Sequence, residues 1–100
     1  MFRYQLHTRA KKYLKKIRKK DKKLYTKIDK AISDIRTDPY AAGDPKKGDL
    51  ASVYGYDVYH NGTNYEIAYT IDVDEQGDIV LFILAGTREN FYDELKRYWT

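Results

Sequence analysis

The segment from residue 79 to residue 92 is Ile79-Val80-Leu81-Phe82-Ile83-Leu84-Ala85-Gly86-Thr87-Arg88-Glu89-Asn90-Phe91-Tyr92. Its first seven residues form the longest apolar run of the chain. A strand that is apolar at both odd and even positions is typical of the centre of a sheet, where both faces are covered. Arg88 and Tyr92 follow this strand four residues apart, where a rigid scaffold can aim them at a substrate. They are therefore the first candidates for a functional site.

Upstream of this segment the sequence predicts one strand and two helices. Residues 2–6 alternate and carry aromatic side chains, as in a strand. Apolar residues at positions 10, 13, 14 and 17 form one stripe of a helix, with Thr8 as its predicted N-cap. Asp21 is the predicted cap of a second helix, which ends before Pro39. A short joint and facing apolar stripes indicate a helical hairpin.

The second half of the chain predicts three strands and a short helix. The strands cover residues 53–60, 63–72 and 78–85, and Asn61-Gly62 joins the first two in a strong hairpin signal. Residues 90–98 form the last helix. The order βααβββα predicts a single α+β domain over residues 1–100, with a twisted, mostly antiparallel four-stranded sheet. The helical hairpin covers one face of this sheet and leaves the other face for a ligand.

Several classes of protein are disfavoured by what the sequence lacks. There is no cysteine, which fits a cytoplasmic protein, and the longest apolar run is far shorter than a membrane helix requires. The first residues are too polar for the core of a signal peptide. No His/Cys cluster, phosphate-binding loop or dinucleotide motif is present, so the sequence predicts neither a metal nor a cofactor.

The charge of the chain is strongly polarised. Residues 1–30 hold 13 lysines and arginines against two acids, a net charge of +11, whereas residues 31–100 carry −7. Such an asymmetry indicates a polyanionic partner or an acidic protein partner, although a lysine-rich helix surface also serves solubility alone. The candidate docking residues on the two helices are Lys11, Lys12, Lys15, Lys16, Arg18, Lys19, Lys20, Lys22 and Lys23. Lys46 and Lys47, in the loop before the second half of the sheet, are further candidates for phosphate contact.

Four segments taken in order resemble the RelE/ParE toxins, which are the toxic halves of toxin–antitoxin modules. They are the basic helical hairpin, the loop at residues 43–50, the strand Asn64-Tyr65-Glu66-Ile67-Ala68-Tyr69, and the segment Gly86-Thr87-Arg88-Glu89-Asn90-Phe91-Tyr92. The resemblance implies a ribosome-dependent mRNA endoribonuclease that works without metal. In such enzymes the 2′-hydroxyl of the substrate attacks the adjacent phosphate. The expected partners are an acidic antitoxin, the ribosome with its mRNA, and operator DNA reached through the antitoxin complex, but no membrane.

The resemblance also assigns roles to individual residues. Arg88 matches the arginine of the family's Gly-x-Arg segment and would stabilise charge on the phosphate. Tyr92 matches the family's C-terminal tyrosine and would stack on a base or assist proton transfer. Many RNA-cleaving members carry arginine where this chain has Glu66, and the same face offers Asp57 and Tyr59 where basic residues are common. Glu66 therefore acts as the general base for the 2′-hydroxyl, or it pairs with a nearby lysine or arginine.

This departure keeps two other functions open. ParE-type relatives share the fold but inhibit DNA gyrase without cleaving RNA, and the acidic residues Asp57 and Glu66 favour that alternative. A degenerate module would bind its antitoxin and operator DNA without being toxic.

Overall fold

The structure is a computed structural model that describes residues 1–87 and 91–99, with the side chains of Asp49, Tyr92, Tyr98 and Trp99 outside the description. Its elements in chain order are β1 (Arg3–Leu6), α1 (Thr8–Lys20), α2 (Lys22–Thr37), α3 (Pro39–Ala42), β2 (Asp44–Pro45), a 3₁₀ turn (Gly48–Leu50), β3 (Tyr54–His60), β4 (Thr63–Asp74), β5 (Gly77–Thr87) and α4 (Phe91–Trp99).

The strands form a twisted sheet in the order β1-β5-β4-β3-β2. The apolar strand β5 lies inside the sheet, parallel to β1 and antiparallel to β4, which confirms its predicted internal position. The predicted α+β class and mostly antiparallel sheet are also confirmed. A fifth strand, β2, adds only Asp44 and Pro45 to the edge beside β3. Two residues that include a proline give no alternating pattern, so this strand was predicted as loop.

The helical hairpin packs on one face of the sheet, as predicted. Ala10 and Ile17 of α1 and Ile28 and Ile35 of α2 are buried against a sheet layer that includes Tyr69. Asp21 caps both helices. Its amide donates to the Ile17 carbonyl at the end of α1, and its carboxylate accepts from the Leu24 amide of α2 at 3.1 Å. The predicted Asp21 cap is therefore confirmed.

The predicted N-cap of the first helix was wrong by one residue. His7, rather than Thr8, is the cap, and its Nδ1 accepts a hydrogen bond from the Arg9 amide at 3.3 Å. Histidine is not among the preferred N-cap residues, so the sequence pattern favoured the neighbouring threonine.

The opposite face of the sheet is less open than predicted. The 3₁₀ turn and α4 cover part of it with a second, smaller core: Leu50, Val53, Ala68, Ile83, Leu84, Phe91 and Leu95. Apolar side chains on both faces of β5 therefore have separate partners, which is why residues 79–85 of that strand are apolar without interruption. The ligand face predicted from the sequence is reduced to the part that this second core leaves uncovered.

Tyr69 ties the sheet to the segment that leads away from α2. Its hydroxyl donates to the Pro39 carbonyl at 2.7 Å and accepts from the Gly43 amide at 2.8 Å, while its ring stacks on Tyr54 with centroids 5.3 Å apart. Gly43 is required there because a Cβ would lie 2.6 Å from the Tyr69 hydroxyl oxygen.

The hairpin between β3 and β4 has the predicted turn. Asn61 and Gly62 both adopt positive φ values, 49° and 75°, as a two-residue type I′ turn requires. Among the described helices, none is both long and apolar enough to span a bilayer.

Candidate functional site

The uncovered part of the second face contains a concavity beside the β2 edge. Asp57 of β3 is directly opposite Glu66 of β4, and Glu66 is directly opposite Gly86 of β5, so these three positions form one row across the sheet. The concavity has a volume of about 340 Å³. Its walls are formed by Asp44, Pro45, Lys46, Lys47, Gly55, Asp57 and Glu66.

Glu66 and Lys46 form a buried ion pair in this concavity. Their side chains are only 3% and 8% exposed. The Lys46 ammonium also lies 5.7 Å from the centroid of the Phe91 ring, within the range of a cation–π contact. The pairing of Glu66 with a nearby lysine is confirmed, and its role as a general base stays a prediction.

The backbone around Lys46 fixes its side chain at this position. The Lys46 amide donates to the Val53 carbonyl at 2.8 Å, and the preceding two residues pair with β3 as the edge strand β2. Lys46 therefore belongs to an ordered turn at the sheet edge. Lys47, in contrast, is exposed on the rim of the concavity.

Gly55 makes the close approach of the two charges possible. A Cβ at this position would overlap Glu66 Oε2 and lie 2.8 Å from Lys46 Nζ. Glycine has no such atom, so the ion pair can pack directly against the β3 backbone.

The wall of the concavity carries more negative than positive formal charge. Asp44, Asp57 and Glu66 face Lys46 and Lys47. A purely electrostatic phosphate site would have the opposite balance. The described part of the concavity therefore fits proton transfer or recognition of a mixed-charge surface better than simple phosphate binding.

Of the other two predicted catalytic residues, the structure describes only the backbone of Tyr92. Arg88 lies outside the described residues. Tyr92 is the second residue of α4, and its side chain is also outside the description. The strand that leads to Arg88 is described as far as Thr87, which pairs with Tyr65 in the row next to Glu66.

The remaining predicted binding residues are on the surface. Tyr59 is 66% exposed, two positions along β3 from Asp57 and therefore on the same face of that strand. All nine basic residues predicted to dock on a polyanion are exposed, on α1 or at the start of α2: Lys11, Lys12, Lys15, Lys16, Arg18, Lys19, Lys20, Lys22 and Lys23.

Sequence reasoning missed the connection between Lys46 and Glu66, and it missed Gly55 and Asp44 as wall residues. One signal pointed to the connection. Glu66 is a lone acid between apolar and aromatic residues of a strand, and a buried carboxylate needs a positive or hydrogen-bonding partner. Nothing in the sequence identified which lysine supplies it, because the two residues are far apart along the chain.

The fold is similar to that of a solved bacterial toxin. A solved structure described as a YoeB/ParE toxin from Agrobacterium tumefaciens superposes with a TM-score of 0.73 at 16% sequence identity, covering 87% of this chain and 99% of that chain. Residues 5–96 match the family described as "ParE-like toxin of type II bacterial toxin-antitoxin system". The chain belongs to this family of toxins, and its partner is therefore an antitoxin.

No curated protein sequence shows significant similarity to the chain. The predicted membership of the RelE/ParE superfamily is confirmed by the family match and by the fold. At 16% identity the structural likeness establishes the fold alone.

Proposed function

We propose that this toxin is a ribosome-dependent mRNA endoribonuclease whose reacting groups meet at the concavity beside Glu66. The toxin acts in the cytoplasm and is held inactive by its antitoxin. The nine exposed basic residues of α1 and α2 dock on ribosomal RNA, where each neutralised phosphate releases counterions and adds to affinity.

One observation carries the proposal. The buried Glu66 carboxylate and Lys46 ammonium lie side by side in the concavity, and Glu66 is directly opposite Gly86, the first residue of the Gly-Thr-Arg segment. Ionisable groups buried at the wall of a cleft are candidates for a functional site.

The proposed reaction is a transesterification within the RNA. The 2′-oxygen forms a bond to phosphorus as the bond to the 5′-oxygen of the next nucleotide breaks, leaving a 2′,3′-cyclic phosphate and a 5′-hydroxyl. Glu66 accepts the proton of the 2′-hydroxyl, and Arg88 stabilises the charge that develops on the phosphate. Tyr92 stacks on a base or supplies the proton that the leaving oxygen takes up.

A second candidate function is inhibition of DNA gyrase without cleavage. The negative balance of the concavity wall, formed by Asp44, Asp57 and Glu66, favours it, because a protein surface tolerates these carboxylates better than a phosphate backbone does. The family match covers the ParE-like toxins and does not separate the two activities.

Brief induction in cells distinguishes these functions. The endoribonuclease gives codon-phased mRNA breaks when RNA ends are mapped within minutes of induction, and DNA stays intact. Double-strand DNA breaks with intact messages would instead assign the protein to gyrase. Normal growth without either kind of damage would identify a degenerate module that only binds its antitoxin.

A further inference from the structure

Strand β1 forms one outer edge of the sheet, and part of its backbone faces away from β5. Just past the end of β1, the His7 amide donates to the Phe82 carbonyl of β5 at 2.8 Å. In a parallel ladder, alternate residues of a strand bond to the same neighbour. Gln5 therefore also bonds towards β5, whereas Tyr4 and Leu6 direct their N–H and C=O groups outward.

The outward groups of Tyr4 and Leu6 remain open, although those of the residue before them are occupied. The Phe2 amide donates to the Arg36 carbonyl at 2.8 Å, and the Phe2 carbonyl accepts from Arg36 Nε at 2.9 Å. Helix α1 begins at Thr8. Among the residues that the structure describes, none bonds to the outward groups of Tyr4 or Leu6. Each of these two residues thus offers one donor and one acceptor to a further strand.

The opposite edge of the sheet is protected against pairing, and β1 is not. The opposite edge ends in the two-residue strand β2, which contains a proline, and further along it Lys27 donates to the Tyr59 carbonyl at 3.1 Å. Short strands, prolines and edge lysines are the usual protection of a sheet edge. Strand β1 has no proline and a continuous register, and its one charged side chain, Arg3, is paired with Asp74 at 2.6 Å. An open edge of this kind indicates a place for a partner strand.

A surface depression follows the outer edge of β1. Its volume is about 530 Å³, and it is formed by Tyr4, Gln5, Leu6 and Lys11. Tyr4 is 43% exposed and Leu6 is half-buried, and both side chains are on the same face of the strand. An added strand would therefore find backbone partners and an apolar wall together. Only a polypeptide has the alternating N–H and C=O groups that such a ladder requires.

The charge at this edge determines which polypeptide fits. Lys11 is the one charged residue among those that form the depression, and the Arg36 guanidinium lies 4.2 Å from the centroid of the Tyr4 ring. A second copy of this chain would bring two such basic edges together, and juxtaposed like charges disfavour a complex. An acidic segment would instead be attracted. The charges select the partner, while the open backbone groups of Tyr4 and Leu6 form the site.

We propose that the outer edge of β1 binds an extended, acidic segment of a partner protein, which adds a strand beside Tyr4 and Leu6 and places carboxylates near Lys11 and Arg36. The ladder is short, so the apolar contacts with Tyr4 and Leu6 contribute to affinity as well. The site depends on the backbone geometry of β1 and not on the cleavage chemistry, so it applies equally to a toxin that acts on gyrase.

The test is amide hydrogen exchange of the full-length toxin, followed by ¹H–¹⁵N NMR with and without a blocked peptide of alternating valine and glutamate. In the free toxin the Tyr4 and Leu6 amides should exchange rapidly and the Gln5 amide slowly, because only Gln5 bonds to β5. Saturating peptide should slow exchange at Tyr4 and Leu6 about tenfold or more, the scale of one hydrogen bond, and leave Gln5 unchanged. Rapid exchange at Tyr4 and Leu6 in the presence of saturating peptide would overturn the proposal.

Two variants isolate the contribution of the backbone. Tyr4→Ala and Tyr4→Pro both remove the ring, but only proline removes the outward N–H, which β5 does not use. Tyr4→Pro should bind the peptide about tenfold more weakly than Tyr4→Ala. Leu6→Pro and Leu6→Ala repeat the comparison at the second donor, and slow exchange at Gln5 checks that β1 remains paired. Equal affinities within both pairs of variants would contradict strand addition.

A peptide of alternating valine and lysine tests the choice of partner. It should bind about tenfold more weakly than the glutamate peptide, the scale of one or two ion pairs at this edge. Lys11→Ala should reduce that difference, whereas Lys20→Ala, which removes an exposed lysine of α1 outside the depression, should not. Equal binding of the two peptides would refute the acidic partner. Protection of Tyr4 and Leu6 that rises with toxin concentration alone would assign the edge to a second copy, and protection by an oligoribonucleotide but not by the peptide would assign it to RNA.

Discussion

The Glu66 carboxylate and the Lys46 ammonium form an ion pair that joins strand β4 to the turn preceding β3, under the ring of Phe91. Both side chains are nearly inaccessible to solvent, so each charge depends on the other for compensation. The pair also connects three separate parts of the chain: the β2 edge, the middle of the sheet and the start of α4. Its energetics therefore report on the integrity of the whole concavity.

Removing one partner of this pair should destabilise the protein strongly. Lys46→Met or Glu66→Met leaves a buried charge without compensation, which costs about 3–5 kcal/mol. The double variant Lys46→Met/Glu66→Met should recover most of that loss, because two apolar side chains of similar size need no compensation. Urea unfolding of the two single variants and the double variant measures the coupling.

The exposed pair Arg3–Asp74, at 2.6 Å, is the matched control, since it has the same charges without burial. Arg3→Met should shift the unfolding midpoint much less than Lys46→Met. Equal shifts for Arg3→Met and Lys46→Met would mean that Lys46 and Glu66 do not compensate each other. Additive losses in the double variant of the buried pair would mean the same.

Gly55→Ala should disturb the concavity from the backbone side. The added Cβ overlaps Glu66 Oε2 and approaches Lys46 Nζ, so the pair has to move or separate. We expect a loss of about 1–3 kcal/mol in unfolding free energy, the usual cost of overpacking. Gly86→Ala is the control on β5, directly opposite Glu66, where a Cβ meets no atom within 4 Å among the described residues. A stability of Gly55→Ala equal to that of Gly86→Ala would contradict the close packing described for the pair.

Tyr69→Phe should destabilise the segment between α2 and β3. The variant leaves the Pro39 carbonyl and the Gly43 amide without their buried partner, and each unsatisfied group costs about 1–3 kcal/mol. Tyr59→Phe removes the same hydroxyl from an exposed side chain and should be close to neutral. Thermal unfolding of the two variants compares them directly, and a similar melting temperature for both would argue against the Tyr69 anchor.

Stability should fall as the solution becomes strongly alkaline. Burial raises the pKa of Tyr69 to about 12, and burial together with Tyr65 and Asp21 raises the pKa of Tyr13 to about 12. Unfolded tyrosine loses its proton near pH 10. Between about pH 10 and about pH 12 the unfolded chain therefore binds fewer protons than the folded one, so the free energy of unfolding decreases as pH rises.

Tyrosinate absorbance checks this expectation, because Tyr13 and Tyr69 should be the last of the eleven tyrosines to titrate, together with unfolding. In Tyr69→Phe the alkaline loss of stability should be smaller, since one of the two most strongly shifted groups is gone. Titration of all tyrosines near pH 10 in the folded protein would show that these two hydroxyls are accessible to solvent.

The sequence was sufficient for most of the fold because its local patterns agree with each other. The apolar stripes of α1 and α2, the cap at Asp21 and the Asn61-Gly62 turn are short-range features, and each of them is present in the structure. The strand β2 and the second core were not predicted. Both depend on the packing of distant segments, such as those that bring Leu50 and Phe91 into one cluster, for which no periodic pattern exists.

The site was less predictable than the fold. Glu66 was recognised as a departure from the related toxins, and its alternative as a paired residue was stated from the sequence. Its partner could be identified only from the structure. Lys46 can approach Glu66 because Gly55, which lies against both side chains, has no side chain of its own. His60, beside the Asn61-Gly62 turn, is buried, and the sequence gives no sign that α2 covers the end of the β3–β4 hairpin.

The central claim is that Arg88 and Glu66 act together on RNA, and single-turnover cleavage of mRNA on programmed ribosomes tests it most directly. The native toxin should give fragments with 2′,3′-cyclic phosphate ends. Arg88→Ala should lower the cleavage rate about 100-fold or more, the scale of one preorganised charge donor, and Glu66→Gln should also lower it about 10²-fold or more. Arg97→Ala, which removes an exposed arginine from α4, should retain the native rate. A native rate in Arg88→Ala that still binds the antitoxin, or no cleavage by the native toxin at all, would contradict the account.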